Sequence, residues 1–130
     1  MAAPKQILFV DDDLDIVDGA RLRLEKAGYE AIVATDGEEA LAAAIKFRPD
    51  AIVMDIRMPR MDGLSALVKL RERAETRMIP VVVLSASLID QPYALDHGAR
   101  FFLRKPYRAE TLLNAINVVV NEGAYEPQTN

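Results

Sequence analysis

The chain has 130 residues, 51% apolar and 28% charged, with a net charge of −4, which suits one soluble globular domain. It has no cysteine, which excludes disulfides and thiolate metal sites, and no basic patch of the kind that marks direct nucleic-acid binding. Its apolar runs fall short of a membrane span and the opening MAAPKQ lacks the apolar core of a signal peptide, so a cytoplasmic location is expected.

Residues 5–10 are apolar and β-rich and predict a strand. It runs straight into Asp11, Asp12 and Asp13. Adjacent carboxylates repel, and burying them is costly unless something positive pairs with them. Val17, Ala20, Leu24 and Ala27 then recur at helical spacing, with Asp13 as the cap and Gly28 at the end. Residues 29–34 predict a second strand, and Thr35, Asp36 and Gly37 a turn. Ala40, Leu41, Ala44 and Ile45 mark one face of a second helix, stopped by Arg48, Pro49 and Asp50. Residues 51–54 form a wholly apolar third strand ending at Asp55. A loop with Pro59 follows, then Asp62 as a cap and Gly63, and Leu64, Leu67 and Val68 open a third helix. Pro80 leads into a fourth strand, residues 81–84, followed by Ser85. Residues 101–103 predict a short fifth strand, followed by Lys105. Leu112, Leu113, Ile116, Val119 and Val120 form the stripe of a last helix, and a polar tail from about Gly123 is expected to be disordered.

Strands alternating with helices imply right-handed crossovers and a doubly wound α/β domain with a parallel sheet covered on both faces. Ligands of such sheets bind beyond the carboxyl ends of the strands. That edge receives Asp11 and Asp12 from the first strand, Asp55 from the third, Ser85 from the fourth and Lys105 from the fifth. Carboxylates without histidine or cysteine favour a hard, oxygen-seeking cation, with magnesium first, held by carboxylates, waters and phosphate oxygens. A lysine and a hydroxyl beside it suit the other oxygens of a phosphoryl group. Such a site suits phosphoryl transfer, and a carboxylate can itself be the acceptor. Asp55 is the best placed for that role. Asp13 and Asp62 read as helix caps, His97 as a helix-end residue, and Phe101, Met54, Met58 and Met61 as packing.

In their order and spacing, several motifs together resemble the receiver domain of two-component response regulators, within the CheY-like superfamily. They are Phe9-Val10-Asp11-Asp12-Asp13, the run from Val53-Met54-Asp55 through Met58-Pro59 to Met61-Asp62-Gly63, Leu84-Ser85-Ala86, Gly98-Ala99 and Lys105-Pro106-Tyr107. The resemblance spans about residues 5–121, and residues 1–122 are expected to form the one domain. It implies a five-stranded parallel sheet of order 2-1-3-4-5 with five helices, and transfer of a phosphoryl group from a phosphohistidine to an aspartate. By resemblance, Asp55 is the phosphoacceptor, Asp12 a direct magnesium ligand and Asp11 a ligand through water. The backbone carbonyl of Arg57 joins the metal set. Ser85 and Lys105 contact the phosphoryl group, and a cis Lys105–Pro106 peptide turns the lysine toward it. Phe102 stands where the family keeps a rotating aromatic, and reads equally well as core. The implied partners are a histidine kinase or histidine phosphotransfer protein and a downstream protein, with neither nucleic acid nor membrane contacted directly. The implied activity is regulatory rather than enzymatic, apart from self-catalysed phosphorylation and dephosphorylation.

The chain departs from this pattern between Ser85 and Gly98, which stand two residues closer than the family's usual spacing. Pro92 falls in the shortened stretch. A proline costs about 3 kcal/mol inside a helix but little in its first turn. Residues 87–91 are therefore expected to stay non-helical, with a fourth helix of about two turns starting near Asp90 or Pro92. Few apolar side chains are available to bury there, so this segment is expected to open most easily. Two alternatives stand beside the leading one. In a haloacid-dehalogenase-like phosphatase, Asp11 would be the nucleophile of an Asp-x-Asp motif. In a scaffold receiver, the fold would persist without phosphorylation.

Overall fold

The computed structural model describes residues 3–58 and 60–122. The expected disordered tail, residues 123–130, and Pro59 of the loop motif lie outside the described residues. Among the described residues, strands and helices alternate along the whole chain. They are β1 (Gln6–Val10), α1 (Leu14–Lys26), β2 (Glu30–Ala34), α2 (Gly37–Phe47), β3 (Ala51–Asp55), α3 (Gly63–Glu72), β4 (Val81–Ser85), α4 (Asp90–Asp96), β5 (Phe101–Arg104) and α5 (Ala109–Asn121). The sheet is parallel throughout, in the order β2-β1-β3-β4-β5. No helix among the described residues is long and apolar enough to cross a membrane.

Every residue of β3 and β4 is buried, as the unbroken apolar runs of a two-sided sheet require. Side chains alternate between two cores. Leu8, Val10, Ile52, Met54, Val81 and Val83 face the side covered by α2, α3 and α4. Ile7, Phe9, Val53, Val82 and Leu84 face the side of α1 and α5. Leu112, Ile116, Val119 and Val120 supply the α5 stripe.

Helix starts follow local chemistry. Asp13 caps α1, accepting from the N–H groups of Asp15 and Ile16, and Asp62 caps α3, accepting from Ser65 N–H at 2.8 Å. The residues expected to turn at 35–37 do more than turn. Asp36 is the buried cap of α2, accepting from Glu39 N–H at 2.8 Å, and Gly37 is the helix's first residue.

The fourth helix is short, as expected, with one adjustment. The helix starts at Asp90, the earlier of the two expected starts, so Asp90 and Gln91 are helical. Pro92 falls in the first turn, where its missing N–H has no intrahelical acceptor to lose. Ala94 is the buried residue of α4, while Leu88, Ile89, Tyr93 and Leu95 remain exposed, Ile89 by 86%. His97 ends the helix, with its Nδ1 at 2.8 Å from the Tyr93 carbonyl oxygen and its ring stacked on the Tyr93 ring.

Candidate functional site

The carboxyl ends of β1 and β3 lie side by side, because Val10 registers with Met54. This brings Asp11, Asp12 and Asp55 together, each offering a carboxylate oxygen within 4.8 Å of the others. Asp11 is buried, 2% exposed, and both of its oxygens are engaged. Oδ1 accepts from the Asp13 N–H at 3.0 Å, and Oδ2 lies 3.5 Å from Lys105 Nζ. Asp12 is exposed and Asp55 is buried, so the cluster opens to solvent on the Asp12 side.

Lys105 reaches the cluster from the far edge of the sheet. Its N–H donates to the Ser85 carbonyl at 2.8 Å, continuing the β4–β5 ladder by one residue. Its peptide bond to Pro106 is cis, and Nζ stands 3.1 Å from Asp55 Oδ2. Burial pushes the Asp55 carboxyl above its ordinary value. Lys105 opposes that shift by charge and hydrogen bond, while Asp11 adds to it. Burial pulls the Lys105 ammonium down, yet Asp55 and Asp11 together carry it above its ordinary value. The Lys105 ammonium thus stands against two carboxylates, with Asp12 on the open side.

Two glycines bring the loop after β3 close to this cluster. A Cβ on Gly63 would collide with the Asp55 carbonyl oxygen, and one on Gly37 with the Met61 carbonyl oxygen. The Gly63 N–H donates to the Ile56 carbonyl at 2.8 Å, and the Gly37 N–H to the Met61 carbonyl at 2.9 Å. Arg57 lies exposed in this loop, two residues past Asp55. Arg60 has φ of 64°, and its guanidinium pairs with the buried Asp36. The Glu39 N–H first, and Arg60 second, hold the Asp36 carboxyl below its ordinary value. Composition and spacing carry no signal for this pair, since its two members are distant in the chain and meet only once the loop is folded.

Asp11, Asp12, Asp55 and Lys105 therefore meet in space. The Ser85 hydroxyl belongs to the same sheet edge but is turned to Asp90 Oδ2, at 2.8 Å, a contact absent from the expectations. Phe102 is partly buried and packs against the α2–α3–α4 side of the core. The donor set is all oxygen, with neither histidine nor cysteine in the cluster. That chemistry fits a hard divalent cation that keeps part of its water shell.

Comparison with known proteins agrees with this fold. The family model described as the response regulator receiver domain matches residues 7–117. The DNA-binding dual master transcriptional regulator RpaA of Synechocystis is 34% identical over 125 residues, which is 95% of this chain and 52% of that protein. The response regulator MprA of Mycolicibacterium vanbaalenii is 41% identical over 112 residues, 85% of this chain and 48% of that one. The chain thus spans about half the length of these curated relatives. The chemotaxis protein CheY4 of Vibrio cholerae superposes with a TM-score of 0.83 at 35% identity, covering 90% of this chain and 99% of that one. The receiver domain of a sensor histidine kinase from Pseudomonas aeruginosa, solved with magnesium coordinated in its active-site cleft, gives 0.84 at 30% identity, covering 92% and 99%. A five-stranded parallel α/β fold, an acidic cluster at its carboxyl edge and a family match across nearly the whole sheet lead to one conclusion: the chain belongs to the response-regulator receiver domain family.

Proposed function

We propose that Asp55 accepts a phosphoryl group from the phosphohistidine of a histidine kinase or histidine phosphotransfer protein. The observation that carries this reading is the Lys105 ammonium 3.1 Å from an Asp55 carboxylate that sits beside two further carboxylates. Burial makes the Asp55 oxygen more basic and hence a better nucleophile, while the charge and hydrogen bond of Lys105 oppose that rise. One Asp55 oxygen forms the new P–O bond as the P–N bond of the donor breaks, and the electron pair leaves with the imidazole. Lys105 then faces the added phosphoryl oxygens. Ser85 supplies a hydroxyl donor from the next strand, and Phe102 responds to its movement.

Asp12, Asp55 and the Arg57 carbonyl would hold magnesium directly, with Asp11 acting through water. When bound, the cation neutralises the cluster and the phosphoryl oxygens. The domain catalyses its own phosphorylation and dephosphorylation and acts otherwise as a regulator, in the cytoplasm. Its output passes to a protein partner, since a net charge of −4 gives no basic footprint for nucleic acid. Residues 1–122 make up the receiver unit.

The phosphatase alternative gains no support. Both oxygens of Asp11 are already engaged, by the Asp13 N–H and by Lys105, and the carboxylate is buried. No observation favours the scaffold alternative, because the acceptor, the carboxylate cluster and the lysine are assembled together.

Beryllofluoride, a phosphoryl mimic, tests this reading when titrated with magnesium and followed by NMR. Saturable binding in the parent chain and none in Asp55→Asn is the expected result. Equal binding by Asp55→Asn would move the acceptor elsewhere.

A further inference from the structure

The Ser85 hydroxyl is buried, 1% exposed, and its proton is already committed. Oγ donates to Asp90 Oδ2 at 2.8 Å and accepts from the Ser87 N–H at 3.1 Å, with the Ser87 carbonyl farther away at 3.4 Å. Asp90 is the first residue of α4, and Ile89 before it provides no side-chain cap. The hydrogen bond to Asp90 thus ties the end of β4 to the first turn of α4. Ser85 also directly follows Leu84, the register partner of Asp55. A hydroxyl has one proton to donate. It can serve the Asp90 carboxylate or an oxygen added to Asp55, not both.

We propose that Asp90 is a positioning residue for the phosphoacceptor site. Acting through Ser85, it holds the hydroxyl in a resting orientation, and a phosphoryl group must take that proton from it. The inference rests on the reading of Asp55 as the acceptor. A hydrogen bond to a carboxylate is among the stronger ones, so the resting state is favoured appreciably. Losing it matters most in α4, where Ala94 is the buried side chain and Ile89 makes no side-chain cap to the first turn. Occupancy at Asp55 is thereby coupled to the order of residues 88–91 through two side chains.

The test measures beryllofluoride affinity in the parent chain, Asp90→Ala, Ser85→Ala and the double variant, all with magnesium. Asp90→Ala should bind roughly three- to tenfold tighter, because the hydroxyl no longer has to leave a carboxylate. Removing the charge of Asp90 would also tighten binding of an anion with no role for Ser85. The Ser85→Ala background separates the two: the gain should vanish there. No gain in Asp90→Ala, or an equal gain with and without Ser85, overturns the proposal.

Amide exchange of residues 88–91 without beryllofluoride or magnesium probes the tie itself. Exchange should rise equally in Asp90→Ala and Ser85→Ala, with no further rise in the double variant. Unchanged exchange in both single variants refutes the tie. Absence of beryllofluoride binding in the parent chain would count against Asp55 as acceptor, while the exchange result decides the Ser85–Asp90 contact independently.

Discussion

The loop after β3 and the segment after β4 leave the same edge of the same sheet, yet they are built in opposite ways. The first is fastened at many points. Gly63 packs onto the Asp55 backbone, Gly37 onto Met61, Asp62 caps α3 and Arg60 pairs with Asp36. The second has short-range ties, from Ser85 to Asp90 and Ser87 and from Ser87 to Ile89, and a seven-residue helix that buries Ala94. Four large side chains on it, at 88, 89, 93 and 95, stay exposed. A phosphoacceptor needs a fixed frame around the reacting carboxylate, because positioning supplies much of the catalysis. A signalling segment needs a low cost of rearrangement. On the reading of Asp55 as the acceptor, the two exits from the sheet divide those requirements.

The comparison breaks most visibly if the fastened loop is forced open. Gly63→Ala puts a methyl group against the Asp55 carbonyl oxygen and within 2.9 Å of the Ile56 Cα, both backbone atoms that cannot swing aside. Denaturant unfolding should show a loss of about 3 kcal/mol or more. A variant as stable as the parent would mean that the loop does not sit close to Asp55.

Native-state exchange sharpens the contrast without mutation. Amides of residues 88–96 should open at a free energy a few kcal/mol below those of β3, given so little burial in α4. Protection equal to that of α3 and α5 in the absence of phosphate would remove the distinction.

Lys105→Ala leaves three clustered carboxylates without their ammonium. With no divalent cation, stability should fall by about 1–2 kcal/mol, a figure reduced for the solvent around a side chain that is 27% exposed. Magnesium should restore much of it by binding the folded state. The variant should still take up label from a phosphoryl donor, but transmit it poorly to the rest of the domain. A melting temperature insensitive both to this substitution and to magnesium would contradict the charge account.

The smallest effect concerns Asp36. Its carboxyl is held below the ordinary value of 3.8 in the folded state. Its contribution is therefore fully present above that value and lost as pH falls through the lower folded one. Asp36→Asn should lower stability at neutral pH and flatten the acid limb below about pH 4, so that the two chains converge in stability at low pH. An unchanged acid limb would show that the pair is only a surface contact.

How much of this was legible beforehand depends on the distance over which residues meet. The fully apolar runs at 51–54 and 81–84 announce buried parallel strands by themselves. The sheet-edge rule then places Asp11, Asp12, Asp55 and Lys105 together, because strand ends are set by topology rather than by side-chain detail. The brevity of α4 was legible from Pro92 and the short spacing to Gly98, although Asp90 and Gln91 join the helix, since proline is harmless in a first turn. Two features were hidden. Asp36 read as a turn residue, and nothing local shows that Arg60 would fold back onto it. Ser85 read as a donor facing the site, and its preference for Asp90 depends on how the β4–α4 loop turns. Both are contacts between polar side chains across loops, where periodicity and propensity carry no information.

If Asp55 accepts a phosphoryl group at this edge of the sheet, intact mass spectrometry after incubation with acetyl phosphate will show it. With magnesium, the chain should gain a single phosphoryl group, and borohydride trapping should map it to Asp55. The gain should disappear in Asp55→Asn and when magnesium is chelated. Label that persists in Asp55→Asn, or that forms equally well without a divalent cation, would contradict the account.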